Sequence, residues 1–102
     1  MHPLLEQNRD ALVDLCRKHR VRRLDVFGSV VGGDFDPSTS DLDFLVELQD
    51  ESPEAYASAF FGLLEDLQAL FARPVDLVTD SSITNPYFRA SVERTRTLLY
   101  AA

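Results

Sequence analysis

Two aspartates separated by one residue open the second apolar run of the chain. Asp41 and Asp43 flank Leu42, directly after a loop rich in Gly, Asp, Pro and Ser. Side chains alternate between the two faces of a strand, so both carboxylates are expected on one face, with Leu42 and Phe44 on the other. Adjacent carboxylates repel each other and gain nothing from an apolar core. The pair is favourable when a divalent cation lies between its members.

A third carboxylate interrupts a later apolar segment, residues 75–79. Asp76 lies between Val75 and Leu77, where a carboxylate is expensive to bury alone. By itself this segment fits a solvated edge strand equally well. If its strand lies beside the strand of Asp41 and Asp43, three carboxylates converge. Such a set suits a pair of Mg²⁺ ions, which can stabilise both the attacking and the leaving oxygen of an in-line displacement at phosphorus.

A glycine–serine pair ends the first apolar run. Gly28 permits a tight turn and close approach of a ligand to the backbone. Ser29 is expected to cap a short helix after the turn, and amides at a helix N-terminus bind phosphate. Alone this dipeptide is most often just a turn. Together with the three aspartates it indicates a site for phosphoryl chemistry.

The elements that must position these residues alternate between helix and strand. Helices are predicted over residues 3–19, 53–72 and 86–95, with Ser52 as the N-cap of the second; strands over 21–27, 40–48, 75–79 and 97–101; and a connection over 49–53. This order predicts one α/β domain over residues 1–102, with a small mixed sheet of about four strands backed by helices. Because the first two strands are joined only by a loop, they are expected to be antiparallel.

Composition narrows the functional classes. The chain has 102 residues and a net charge of −7, so it lacks the positive surface that direct, non-specific nucleic-acid binding needs. It suits cations or a basic partner surface better. Cys16 is the sole cysteine, which excludes a disulfide framework and favours the cytoplasm. The apolar runs are too short to span a membrane, so no membrane partner is expected.

Other polar residues are given plainer interpretations. His2 and His19 lack a partner motif and are expected on the surface, since a lone histidine is a poor metal site. Arg22 and Arg23 precede the first strand. A solvated strand start is favoured for them over a role in neutralising phosphate or binding an acidic partner.

These motifs resemble the minimal nucleotidyltransferases of the DNA polymerase β-type nucleotidyltransferase superfamily. The similarity covers about residues 4 to 101. It is carried by Gly28-Ser29, Gly33, Ser40-Asp41-Leu42-Asp43, Val75-Asp76-Leu77-Val78-Thr79 and the tail from Asn85-Pro86-Tyr87 to Leu99-Tyr100-Ala101.

The resemblance implies a nucleotidyltransferase fold and a Mg²⁺-dependent transfer of a nucleoside monophosphate, commonly AMP from ATP. It implies that Asp41, Asp43 and Asp76 are the catalytic metal ligands, and that Gly28, Ser29, Gly33 and Ser40 bind the nucleotide. It also implies an antitoxin that adenylylates a tyrosine of a HEPN-type RNase toxin.

One departure from the family pattern keeps an alternative open. Gly32 stands where the family usually has arginine, which removes a positive charge near the triphosphate. A non-catalytic antitoxin is therefore a second hypothesis, in which the acidic surface masks a basic RNase groove. In a third hypothesis, the aspartates are only solvated side chains, and their matching positions on the strands are a coincidence.

Overall fold

A computed structural model describes residues 1–49 and 52–102 as one sheet with helices on both faces. The helices are α1 (Pro3–Gln7), α2 (Arg9–Lys18), α3 (Ser29–Gly32), α4 (Pro53–Phe71) and α5 (Pro86–Thr95); the strands are β1 (Val21–Phe27), β2 (Leu42–Leu48), β3 (Val75–Val78) and β4 (Thr97–Ala101); a 3₁₀ turn covers Asp80–Ser82. The predicted connection over 49–53 includes residues 50 and 51, which lie outside the described residues. Within the described part of the chain, no helix is long and apolar enough to cross a membrane.

The sheet is mixed, as predicted. Its strand order is β3-β2-β1-β4, and β1 is antiparallel to both β2 and β4. Strands β2 and β3 are parallel neighbours, which requires a crossover, and α4 supplies it. The loop-connected pair β1 and β2 is antiparallel, so that prediction is confirmed.

The two faces of the sheet are covered unequally. Helices α1, α2 and α4 pack on one face and form the larger apolar core, which includes Leu12, Leu24, Phe44, Val46, Leu63 and Leu67. Helix α5 packs on the other face around a smaller cluster of Phe27, Leu45, Ile83 and Val92. Because this second cluster is small, the same face has room for the polar residues described below.

The predicted first helix is wrong in one respect, because it is two helices. The chain breaks at Asn8, whose side-chain amide donates to the Leu4 carbonyl at 2.8 Å. Asparagine competes with the backbone for such hydrogen bonds, which explains a break here.

The surface placement of His19 is also wrong. Its side chain is only 11% exposed, and its Nε2 lies 2.7 Å from Asp66 Oδ2 on α4. The hydrogen bonds from His19 and then Lys18 lower the pKa of Asp66. The ring also lies directly against Gly62, where a methyl group would crowd it. His19 therefore joins α2 to α4, a contact that sequence spacing alone does not reveal.

Candidate active site

Two of the predicted aspartates meet across neighbouring strands. Asp43 on β2 and Asp76 on β3 are register partners in the parallel pair, so their side chains leave the sheet side by side. Asp76 is exposed, whereas Asp43 is partly buried and lies within hydrogen-bonding reach of it. The sheet itself brings these two carboxylates together.

The environment of Asp43 disfavours its charge. Its pKa is raised from 3.8 to about 7 in total. Burial is the largest cause, followed by the charge of Asp76, a hydrogen bond to Asp76 and the charge of Asp41. Near neutral pH Asp43 therefore tends to hold a proton. A bound cation would remove the reason for that proton.

Asp41 is less closely placed than its spacing suggests. Strand β2 begins at Leu42 rather than Ser40, so Asp41 precedes the strand and is exposed. Its charge is the smallest of the four causes that raise the pKa of Asp43. Across residues 1–49 and 52–102, no group of three His, Cys, Asp or Glu side chains is arranged to hold a metal ion. The structure therefore shows a close pair of carboxylates, and a three-ligand set stays a prediction.

Gly28 lies directly against this pair. Phe27, the last residue of β1, is the register partner of Asp43, and Gly28 follows with φ 81° and ψ −148°. A Cβ atom at Gly28 would overlap the Asp43 carboxylate oxygen Oδ2. Both the positive φ and the close approach require glycine. The turn therefore places backbone beside the carboxylates.

Ser29 is the first residue of α3, and Gly28 takes the N-cap position. The prediction that Ser29 caps this helix is therefore wrong by one residue. A helical residue at the first position cannot cap its own helix, so its hydroxyl has no capping role.

The other predicted nucleotide-binding residues lie in the connection between α3 and β2. Gly33 ends α3 with φ 92°, and its amide donates to the Ser29 carbonyl at 3.1 Å. Ser40 Oγ accepts from the Asp36 amide at 2.9 Å, so it shapes the loop. Both residues lie near the ends of this loop, and their nucleotide-binding role stays a prediction.

A buried carboxylate on the sheet face of Asp43 and Asp76 was not predicted. Asp25 on β1 is fully buried, with Arg23 Nε 3.0 Å from its Oδ1 and Arg96 Nε 2.7 Å from its Oδ2. Arg23 is exposed, as its solvated interpretation predicts, but its guanidinium also pairs with this buried carboxylate. A signal was available, because Asp25 lies between Leu24 and Val26 in an apolar strand and Arg23 lies two residues before it, on the same face.

Thr95 was also missed. Its Oγ1 accepts a hydrogen bond from the Gly28 amide at 2.9 Å, although 67 residues separate the two positions. A threonine at the end of a helix gives no sequence signal for a contact of this range.

Comparison with known proteins places these features in a family. The family model described as "Nucleotidyltransferase domain" matches residues 9–99. A curated protein of Methanocaldococcus jannaschii, named "Putative protein adenylyltransferase", is 32% identical over 90 residues. That match covers 88% of this chain and 85% of the relative.

Solved structures share the fold. One described as "putative minimal nucleotidyltransferase" is 31% identical with a TM-score of 0.63, and the match covers 91% of this chain and 90% of that one. A second, the MNT antitoxin in complex with the tri-AMPylated HEPN toxin of Shewanella oneidensis, has a TM-score of 0.62 at 21% identity. That match covers 95% of this chain and 72% of the other, and at this identity it supports the fold alone.

Proposed function

The chain belongs to the nucleotidyltransferase domain family, and from this premise we propose that it transfers AMP from ATP to a partner protein. The M. jannaschii relative named as a protein adenylyltransferase supports a protein as the acceptor. The MNT antitoxin with its AMPylated HEPN toxin supports a HEPN-type RNase toxin as the partner, neutralised by the modification. The reaction would take place in the cytoplasm, in a single domain. The observation that carries the proposal is the Asp43–Asp76 pair with Gly28 against it.

The carboxylate pair fits Mg²⁺. Carboxylate oxygens are the ligands this ion prefers, and Asp43 and Asp76 repel each other without a cation. Asp41, just before β2, would add the third carboxylate. When bound, Mg²⁺ would neutralise the charge of the triphosphate and of the reacting phosphorus.

The Gly28–Ser29 turn would position the substrate phosphate, and the ionised Asp43 would hold the metal. The Ser29 amide is the first of α3 and has no acceptor one turn earlier in the helix, so it can donate to phosphate. Transfer also requires Asp43 to be ionised, because only the carboxylate form binds a cation. Since its pKa is about 7 without metal, activity at limiting Mg²⁺ should rise as the pH passes through neutrality, and more Mg²⁺ should move that rise to lower pH.

The direct test uses the purified protein with labelled ATP, Mg²⁺ and its toxin partner. Wild type should label the partner, and intact-mass analysis should show an added AMP. Asp43→Ala should label nothing. The matched control is Asp10→Ala, which removes an exposed aspartate on α2, away from the sheet. An unlabelled partner with wild type, or equal labelling by Asp43→Ala, would refute the transfer.

Masking of the toxin by direct association is the second candidate. The net charge of −7 suits a basic RNase surface, and Tyr87 at the start of α5 is 85% exposed, as interface aromatics often are. In this case the Asp41→Ala/Asp43→Ala double variant should still protect against the toxin without ATP. Loss of binding or protection by that variant would count against masking. The two activities can coexist.

A further inference from the structure

The hydroxyl of Thr95 makes two hydrogen bonds in opposite directions. It donates to the Ser91 carbonyl one helical turn earlier, at 3.1 Å, and accepts from the Gly28 amide at 2.9 Å. A hydroxyl has one proton and two lone pairs. Because the proton is held by Ser91, a lone pair is directed toward Gly28. The bond is thus oriented by α5 itself.

The residues after Thr95 fasten the same junction to β1. Arg96 forms the buried ion pair with Asp25, and Thr97 is the register partner of Val26. Three consecutive residues therefore contact β1 or the turn that follows it. The end of α5 can shift little without breaking one of these contacts.

Gly28 needs such an attachment. The register between β1 and β2 ends at Phe27, so the sheet does not extend to the Gly28 amide. Glycine also has more backbone freedom than any other residue, and here it adopts a positive φ against Asp43. A rotation of this turn would move the Ser29 amide relative to the carboxylate pair.

We propose that Thr95 is a positioning residue that holds the Gly28–Ser29 turn over the Asp43–Asp76 pair for binding the nucleoside triphosphate. The inference rests on the proposed nucleotidyltransferase function. Thr95 acts through the Gly28 amide, whose bond to the hydroxyl fixes the turn before nucleotide arrives.

The test compares Thr95→Val, which keeps the shape but loses the acceptor, with Thr95→Ser, which keeps the hydroxyl. The matched control is Thr97→Val, because the Thr97 hydroxyl donates to the Thr95 carbonyl at 3.1 Å and does not reach Gly28. Hydrogen exchange of the Gly28 amide is measured in nucleotide-free protein. Affinity for ATP with Mg²⁺, KM and kcat are measured separately.

Thr95→Val should speed Gly28 exchange and weaken nucleotide affinity, each by roughly 3- to 10-fold, the usual effect of one hydrogen bond. Thr95→Ser should restore both, and Thr97→Val should leave both unchanged. The loss should fall mainly on KM, since the turn holds the substrate phosphate. If Thr95→Val does not fold, Thr95→Ala replaces it.

Unchanged Gly28 exchange and affinity in the valine variant would overturn the proposal, as would equal losses in Thr97→Val. The proposed function can fail separately. If wild type binds ATP but labels no partner, transfer is refuted while the affinity ratio still decides the role of Thr95. If wild type binds no nucleotide, both are refuted.

Discussion

Two aspartates on one face of adjoining strands have opposite surroundings. Asp25 on β1 is fully buried and contacts the guanidinium groups of Arg23 and Arg96. Asp43 on β2 is partly buried, and the group beside it is a second carboxylate, Asp76. The sheet thus neutralises one carboxylate and leaves the other uncompensated two register positions away on the same face.

The difference supports the proposed division, in which Asp25 serves folding and Asp43 serves binding. Burial alone would select Asp25, since it is the more buried of the two. The charge of the neighbours selects Asp43, because like charges in contact cost energy that folding does not require. An uncompensated carboxylate pair favours binding of a cation, whereas Asp25 is already paired with the guanidinium groups of Arg23 and Arg96.

Removal of the buried carboxylate should have the largest effect. Asp25→Ala removes the partner of two guanidinium groups that water can still reach, and should lower the free energy of unfolding by about 2–4 kcal/mol. Urea titration followed by circular dichroism measures it. Asp10→Ala, on the surface of α2, should stay within about 0.5 kcal/mol. A loss below about 1 kcal/mol for Asp25→Ala would show that the pair contributes little to folding.

Removal of the uncompensated carboxylate should act on the reaction rather than the fold. Asp43→Asn should lower nucleotide transfer by about 100- to 1,000-fold, the range seen when one electrostatic contact to a transition state is lost. Its stability should be unchanged or increased, because one member of a repelling pair becomes neutral. Parallel assays of labelled transfer and urea unfolding measure the two effects. Destabilisation with retained transfer would reverse the assignment of the two aspartates.

Both the close contact and the backbone conformation of Gly28 should make its substitution costlier than that of Gly33. Gly28→Ala adds a Cβ both to a positive-φ residue and against Asp43 Oδ2, whereas Gly33→Ala adds it at a similar φ with no heavy atom within 4 Å. The αL strain should cost about 1 kcal/mol at Gly33, whereas the φ 81°, ψ −148° conformation of Gly28, a region nearly restricted to glycine, should cost about 1–3 kcal/mol. Only Gly28→Ala should cost a further 1 kcal/mol or so from overlap. Equal losses of unfolding free energy would contradict the close approach.

A positive charge at position 32 would give the Asp43–Asp76 pair a cationic neighbour, as Asp25 already has. A Cβ at Gly32 meets no heavy atom within 4 Å, so Gly32→Arg should fold normally. The added guanidinium should lower KM for ATP by roughly 3- to 10-fold if it reaches the triphosphate. Gly32→Gln, of comparable length without charge, is the control. Equal KM values in both variants would show that the charge is not needed there.

The pattern of apolar and polar residues was enough to predict the strands and the antiparallel pairing of β1 with β2. Periodicity and the loop between β1 and β2 anticipated the mixed sheet, and the assignment of Asp43 and Asp76 to two strands anticipated their meeting if those strands are neighbours. These features follow from local rules, namely the alternation of side chains along a strand and the need for a crossover between parallel strands.

The contacts that the sequence did not reveal are made between distant residues. The Gly28–Thr95, Asp25–Arg96 and His19–Asp66 contacts each join positions about 50 to 70 residues apart. No periodicity encodes which polar residues will meet when helices pack on a sheet. Asp41 shows a different limit, since Ser40 and Asp41 continue the polar loop and the strand begins two residues later than predicted.

The smallest expected effect is a pH dependence confined to the uncompensated site. Asp43 has a pKa of about 7 in the folded protein and about 4 when unfolded, so the folded state holds an extra proton between these values. Its stabilising contribution is therefore complete below about pH 4 and lost as the pH rises to about 7. Because Asp43 is only partly buried, solvent screening should limit the loss to about 1 kcal/mol.

The measurement is the difference in unfolding free energy between wild type and Asp43→Asn, since titration of the other groups cancels in it. Without metal, wild type should lose stability relative to the variant between about pH 4 and about pH 7. Added Mg²⁺ should remove that loss in wild type, because binding favours the ionised pair. Two parallel pH curves, with or without Mg²⁺, would mean that Asp43 is no less compensated than Asp25, and the contrast between the two aspartates would fail.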